Sequence, residues 1–126
     1  MKKVEIQSVR NSLPSYTKDL KITDKQIWEA IEYHYDMVSQ YPDKSVLYFI
    51  HGWSSMKLIK QNLASQLFYG ACEKFNAYGY EDIMNVIREK KLPKAICKFY
   101  IKTYNGGGDE IDLICSVYKI KAPVYA

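Results

Sequence analysis

Residues 94–120 read KAICKFYIKTYNGGGDEIDLICSVYKI, and the fold turns on whether the two apolar arms beside the glycines are strands or helices. Segments 94–104 and 110–120 flank NGGGD, a five-residue turn in which glycine supplies positive φ without steric cost. Setting Thr103 opposite Ile111 places Ile101 opposite Leu113, Phe99 opposite Cys115 and Cys97 opposite Val117. One face is then apolar throughout, and Lys102 meets Asp112 on the other. Agreement of that kind fixes strand register. The spacing predicts an antiparallel C-terminal hairpin.

Upstream, KVEIQSV (residues 3–9) alternates briefly and reads as a strand. Residues 10–22 hold turn formers and Pro14, which suggests a loop. Thr23 followed by Gln26 matches a capping box, and Ile27, Ile31, Tyr35 and Val38 then recur at helical spacing until Pro42. SVLYFIH (residues 45–51) is an apolar run of strand formers, suited to a strand buried on both faces. Ser54 or Ser55 is placed to cap a long helix marked by Met56, Ile59, Leu63, Leu67, Ala71, Phe75 and Tyr78. Gly79 stands where a left-handed helix end would want it. A shorter helix over 81–91 turns Ile83, Met84 and Ile87 inward, and Pro93 lies beyond its end. The order β-α-β-α-α-β-β predicts a single α+β domain over residues 1–126, with the long helix packed on a sheet of about four strands.

The 126 residues, 48% hydrophobic and 25% charged, suit one soluble core. No apolar run approaches the ~18 residues of a membrane span, and MKKVEIQSVR has no secretory hydrophobic region. The expectation is a cytoplasmic protein, of its own cell or of a host, without membrane contact. Residues 1–53 balance seven basic against seven acidic side chains; residues 54–126 carry eleven against seven, which supplies the whole net charge of +4. Cys72, Cys97 and Cys115 lack metal-site spacing and read as reduced thiols. With only His34 and His51 beside them, neither a metal nor a cofactor is expected.

VLYFIHGWSS resembles the strand and His-Gly turn that build the oxyanion loop of α/β-hydrolases, over about ten residues. That family also needs a G-x-S-x-G nucleophile followed by an acid and a histidine. The chain has no G-x-S-x-G and no histidine after Gly52, so the likeness is local. Glu29, Glu32 and Asp36 share one helix face and read as a solvated row. The acidic NGGGDEID loop repels phosphate. Pairing His51 with a cysteine fails because each cysteine falls inside an apolar pattern.

The outer face of the expected hairpin is the candidate site. Lys94, Ile96, Lys98, Tyr100, Lys102 and Tyr104 line its first strand, beside Ile114 and Tyr118 of the second. Twelve tyrosines, each joining an apolar ring to a polar tip, suit interfaces. The reading is a small binding or regulatory protein, inhibitory in the manner of a phage or viral accessory protein, that engages a protein partner or a second copy as a homodimer. The alternative is single-stranded nucleic acid on the same face, with lysines on phosphates and rings on bases. A small enzyme with a site near His51 and Trp53 is the third.

Overall fold

The computed structural model describes residues 3–33, 53–103 and 108–122, with side chains from residue 56 onward in the second span. They form six α-helices and one 3₁₀ segment, and no strand occurs among them. The expected α+β sheet is therefore corrected to a helical fold. The helices are α1 (Lys3–Ser12), α2 (Asp24–Tyr33), α3 (Trp53–Glu73), α4 (Tyr80–Arg88), α5 (Lys94–Thr103) and α6 (Asp109–Tyr118), with the 3₁₀ segment at Ser15–Leu20. The chain divides into two compact units, residues 1–63 and 64–126. Among the described residues no helix is long and apolar enough to cross a membrane.

In the first unit α1 packs on α2. The expected strand over 3–9 is the first two turns of α1, where Glu5, Ile6 and Val9 are buried and Val4 is exposed. Burial at 5, 6 and 9 follows the helical period; the alternation of Val4 with Ile6 was too short to distinguish the two. The capping box at the start of α2 is formed. Gln26 N–H donates to Thr23 Oγ1 at 3.1 Å, and Thr23 N–H donates back to Gln26 Oε1 at 2.8 Å. Ile27, Ala30 and Ile31 are the buried stripe of α2. Tyr35, Val38, Pro42 and the expected strand over 45–51 lie outside the described residues. α3 begins at Trp53, so Ser54 and Ser55 fall inside its first turn rather than ahead of it.

In the second unit the expected hairpin is a pair of helices, α5 and α6, that contact each other, with α4 against α6. The arms satisfy two periods at once. Cys97, Phe99 and Ile101 alternate, yet Cys97, Tyr100 and Ile101 step as a helix, and so do Ile111, Ile114 and Tyr118. All of these are buried. The ends decide between the periods. Pro93, expected as a stop after α4, starts α5: its carbonyl accepts from Ile96 and Cys97 N–H at 3.1 and 3.2 Å, and a helix start needs no proline N–H. Gly108 accepts from Asp112 N–H at 3.0 Å, and Asp109, Glu110 and Asp112 occupy the first turn of α6, where the helix dipole favours anions.

Three helix stops in this unit, those of α3, α4 and α6, use left-handed residues other than glycine: Asn76, Lys90 and Lys119, with φ of 56°, 54° and 57°. Each is followed by an N–H that reaches back five residues: Ala77 to Cys72 O, Lys91 to Val86 O and Ile120 to Cys115 O. A left-handed non-glycine residue costs about 1–2 kcal/mol; Lys90 and Lys119 stand at the C-terminal ends of helices, where the dipole favours a positive charge. Gly79, expected as the left-handed stop, is extended (φ −94°, ψ 166°) and instead precedes α4 as its N-cap. α3 thus ends at Glu73, and Phe75 and Tyr78 leave its apolar stripe for the surface. The unit's core gathers Phe68, Cys72, Met84, Ile87, Tyr100 and Ile114, among others. Phe68 and Tyr100 stack with ring centroids 4.3 Å apart and planes 8° from parallel.

Candidate interaction surface

The mixed lysine–tyrosine face does not form. Tyr100, Ile114 and Tyr118 keep 4%, 0% and 7% of their surface, so none can stack on a base or anchor a partner. Ile96 is half-buried against the core, and Tyr104 lies outside the described residues. Lys94 and Lys102 are exposed and Lys98 is half-exposed. Four-residue steps keep these three lysines within an arc of about 80° along α5. The row survives, while Tyr100 and Tyr118 turn inward from it. His51 lies outside the described residues, as does the Trp53 side chain. Among the described residues no group of acidic, histidine and cysteine side chains is placed to hold a metal ion.

The inward tyrosines perform polar work. Leu92, between α4 and α5, donates its N–H to Tyr118 Oη at 3.0 Å, and Tyr118 returns a bond to Leu92 O at 2.9 Å. One hydroxyl thus satisfies a buried donor and acceptor that no helix ladder serves. Burial first, and then Cys97, pushes the Tyr118 phenol up to about 12. Nearby, burial raises the Glu110 carboxyl above its ordinary range, while hydrogen bonds from Tyr100 and Tyr69 pull the other way. Its Oε1 is buried without a hydrogen-bond partner among the described residues. Burial also pushes the thiols of Cys72 and Cys97 up to about 11 and about 12, which keeps them protonated and unreactive at neutral pH.

The exposed aromatics stand elsewhere, at the corner from α3 into α4. Phe75, Tyr78 and Tyr80 keep 43%, 70% and 56% of their surface within six residues of chain. The turn beneath them is tied by Asn76 N–H to Glu73 O at 2.9 Å and Ala77 N–H to Cys72 O at 3.1 Å, and Ala77 is buried. Lys91 Nζ lies 5.5 Å from the Phe75 ring centroid, within cation–π range. Tyr80 donates to Asp109 Oδ2 at 3.1 Å, which raises the Tyr80 phenol. Two of the three rings therefore have a polar or charged neighbour within the chain.

Sequence reasoning missed this corner because Phe75 and Tyr78 extend the three-and-four spacing of α3. The signal against that extension was present in FNAYGY, where Asn76 and Gly79 interrupt the helix in six residues. No protein-family model matches the chain, and no match to it was found among curated proteins or solved structures.

Proposed function

We propose that this chain is a small helical binding module that recognises another protein through the α3–α4 corner. The observation that carries the reading is the exposure of Phe75, Tyr78 and Tyr80 together on a backbone-tied turn. Large aromatic side chains dominate the energetics of protein interfaces, and a preorganised turn loses little entropy when it docks. A regulator or inhibitor needs no more than this, since covering a partner's surface is its action. A second copy of the chain is one such partner, and light scattering on the purified protein reads that case directly.

Nucleic acid is the second reading. It is favoured by the basic run from Arg88 to Lys102, a stretch of sequence that holds Arg88, Lys90, Lys91, Lys94, Lys98 and Lys102 and one acid, Glu89. The placement of Lys91 beside the Phe75 ring joins a cation to a stacking surface.

One experiment tests both. A photo-reactive phenylalanine analogue replaces Tyr78, and the full chain is irradiated in cells that make it, with the analogue at Lys25 as control. A defined protein adduct that disappears when Phe75 and Tyr80 become alanine is the expected result. Adducts to nucleic acid that vanish at raised salt would transfer the corner to the second reading. No adduct above the Lys25 control would end both.

A further inference from the structure

The first unit holds a cleft of about 400 Å³ that the corner does not involve. The last turns of α1 form one wall, with Gln7, Arg10 and Asn11; the 3₁₀ segment and the bend after it supply Lys18 and Lys21. Leu13, Pro14 and Ile22 add apolar surface. Among the described residues three cations line this cleft, and no acidic residue does.

Arg10 and Lys21 are each placed by something specific. Arg10 donates through Nη1 to Ile22 O at 3.0 Å and through Nη2 to Asp24 Oδ1 at 2.6 Å, which pins the guanidinium between α1 and the start of α2. Asp24 shares the charge of Arg10, and Lys18 and Lys21 add two further cations to the cleft. Lys21 takes a left-handed conformation, φ 52° and ψ 48°, immediately after the 3₁₀ segment. That backbone favours glycine, yet the position carries an ammonium on the cleft wall. The turn itself is held by Thr17, buried, whose hydroxyl donates to Pro14 O at 2.6 Å. On the α1 wall Gln7 Nε2 donates to Asn11 Oδ1 at 2.7 Å, which ties two amides together at adjacent turns.

We infer that this cleft binds a small organic anion through a phosphate-type group. Two lysines match the charge of a phosphate monoester, and Arg10, its Nη atoms engaged by Ile22 O and Asp24, adds positive potential beside them. The apolar surface of Leu13, Pro14 and Ile22 takes the organic part. The volume lies within the ~300–1,000 Å³ typical of small-molecule sites.

The test titrates the full chain with adenosine 5′-monophosphate, inorganic phosphate and adenosine, at low and raised salt, by calorimetry and by amide NMR. The expected result is that the monophosphate binds with shifts confined to residues 7–22, phosphate binds more weakly, adenosine does not bind, and salt weakens both anions. The Lys18→Ala/Lys21→Gly double variant loses affinity by about ten-fold or more, the scale of one charge-assisted hydrogen bond. Lys21→Gly also relieves the left-handed backbone, so a loss of binding with an unchanged or higher melting temperature is not unfolding. Adenosine binding as well as its monophosphate, undiminished binding by the double variant, or no binding of either anion at low salt would overturn the inference. None of these outcomes bears on the α3–α4 corner.

Discussion

Tyr118 and Tyr78 belong to the same compact unit and do opposite things with the same side chain. Tyr118 lies in the packed interior of α4, α5 and α6, where its hydroxyl closes a break in the backbone at Leu92. Tyr78 stands on the α3–α4 corner with most of its ring in water. What separates them is the demand of the backbone around each. At Leu92 a buried N–H and C=O await a partner, and a phenol is long enough to bring one from α6. Around Tyr78 the main chain is already satisfied by Asn76 and Ala77 N–H, so the ring is left for other uses. A tyrosine-rich composition therefore does not announce a surface; the unmet polar groups of the backbone allocate the tyrosines first.

Truncation of the interior ring tests the comparison most severely. Tyr100→Ala removes the ring stacked on Phe68 and should destabilise the protein by about 3–5 kcal/mol in urea titrations. Tyr118→Phe keeps the ring and deletes only the hydroxyl; stranding Leu92 should cost about 1–3 kcal/mol. The sign of its pH dependence follows from the raised phenol. Stability that depends on neutral Tyr118 is complete below its ordinary value of 10.0 and is lost as pH rises toward about 12, so the variant should lack that alkaline component.

Glu110→Gln is a milder probe. A carboxyl raised by burial favours the folded state while protonated, and that contribution is lost as pH rises through its folded value. The variant should therefore gain melting temperature over wild type at pH 7 and lose that advantage near pH 4. At the corner, Gly79 precedes α4 in an extended conformation with open space where a side chain would go. Gly79→Ser should add a few tenths of a kcal/mol by capping α4. Smallest of all, Tyr78→Ala should change stability by less than about 0.5 kcal/mol while abolishing any partner complex. A large loss there would erase the distinction between the two tyrosines.

How far these assignments were legible depends on which atoms encode them. The start of α2 was readable because its cap is made by side chains, Thr23 and Gln26, at fixed spacing. The interiors of α3 and α4 were readable because Ile59, Leu63 and Ala71, then Ile83, Met84 and Ile87, fit the helical period and no other. Residues 94–120 mislead because their apolar positions fit both periods, and a cross-strand pairing of Lys102 with Asp112 favours the strand reading. The structure breaks it at the ends instead, through the Pro93 and Gly108 carbonyls. The helix stops were the least visible, since Asn76, Lys90 and Lys119 adopt a glycine's conformation without being glycine. The candidate site inherited both errors: Tyr100, Ile114 and Tyr118 were set facing out, and the corner was absorbed into α3.

The bond between Leu92 and Tyr118 also turns one amide proton into a clock. Leu92 belongs to no helix, and a proton in such a connection ordinarily trades with solvent quickly through small local motions. Here its acceptor arrives from 26 residues further along the chain, so exchange must wait until α6 lifts away. The Lys91 amide just before it donates to Val86 O at the end of α4, so its exchange needs only that helix end to open. Adjacent protons in one connection should thus exchange on separate timescales, one set by a helix end and the other by opening of the unit around α6.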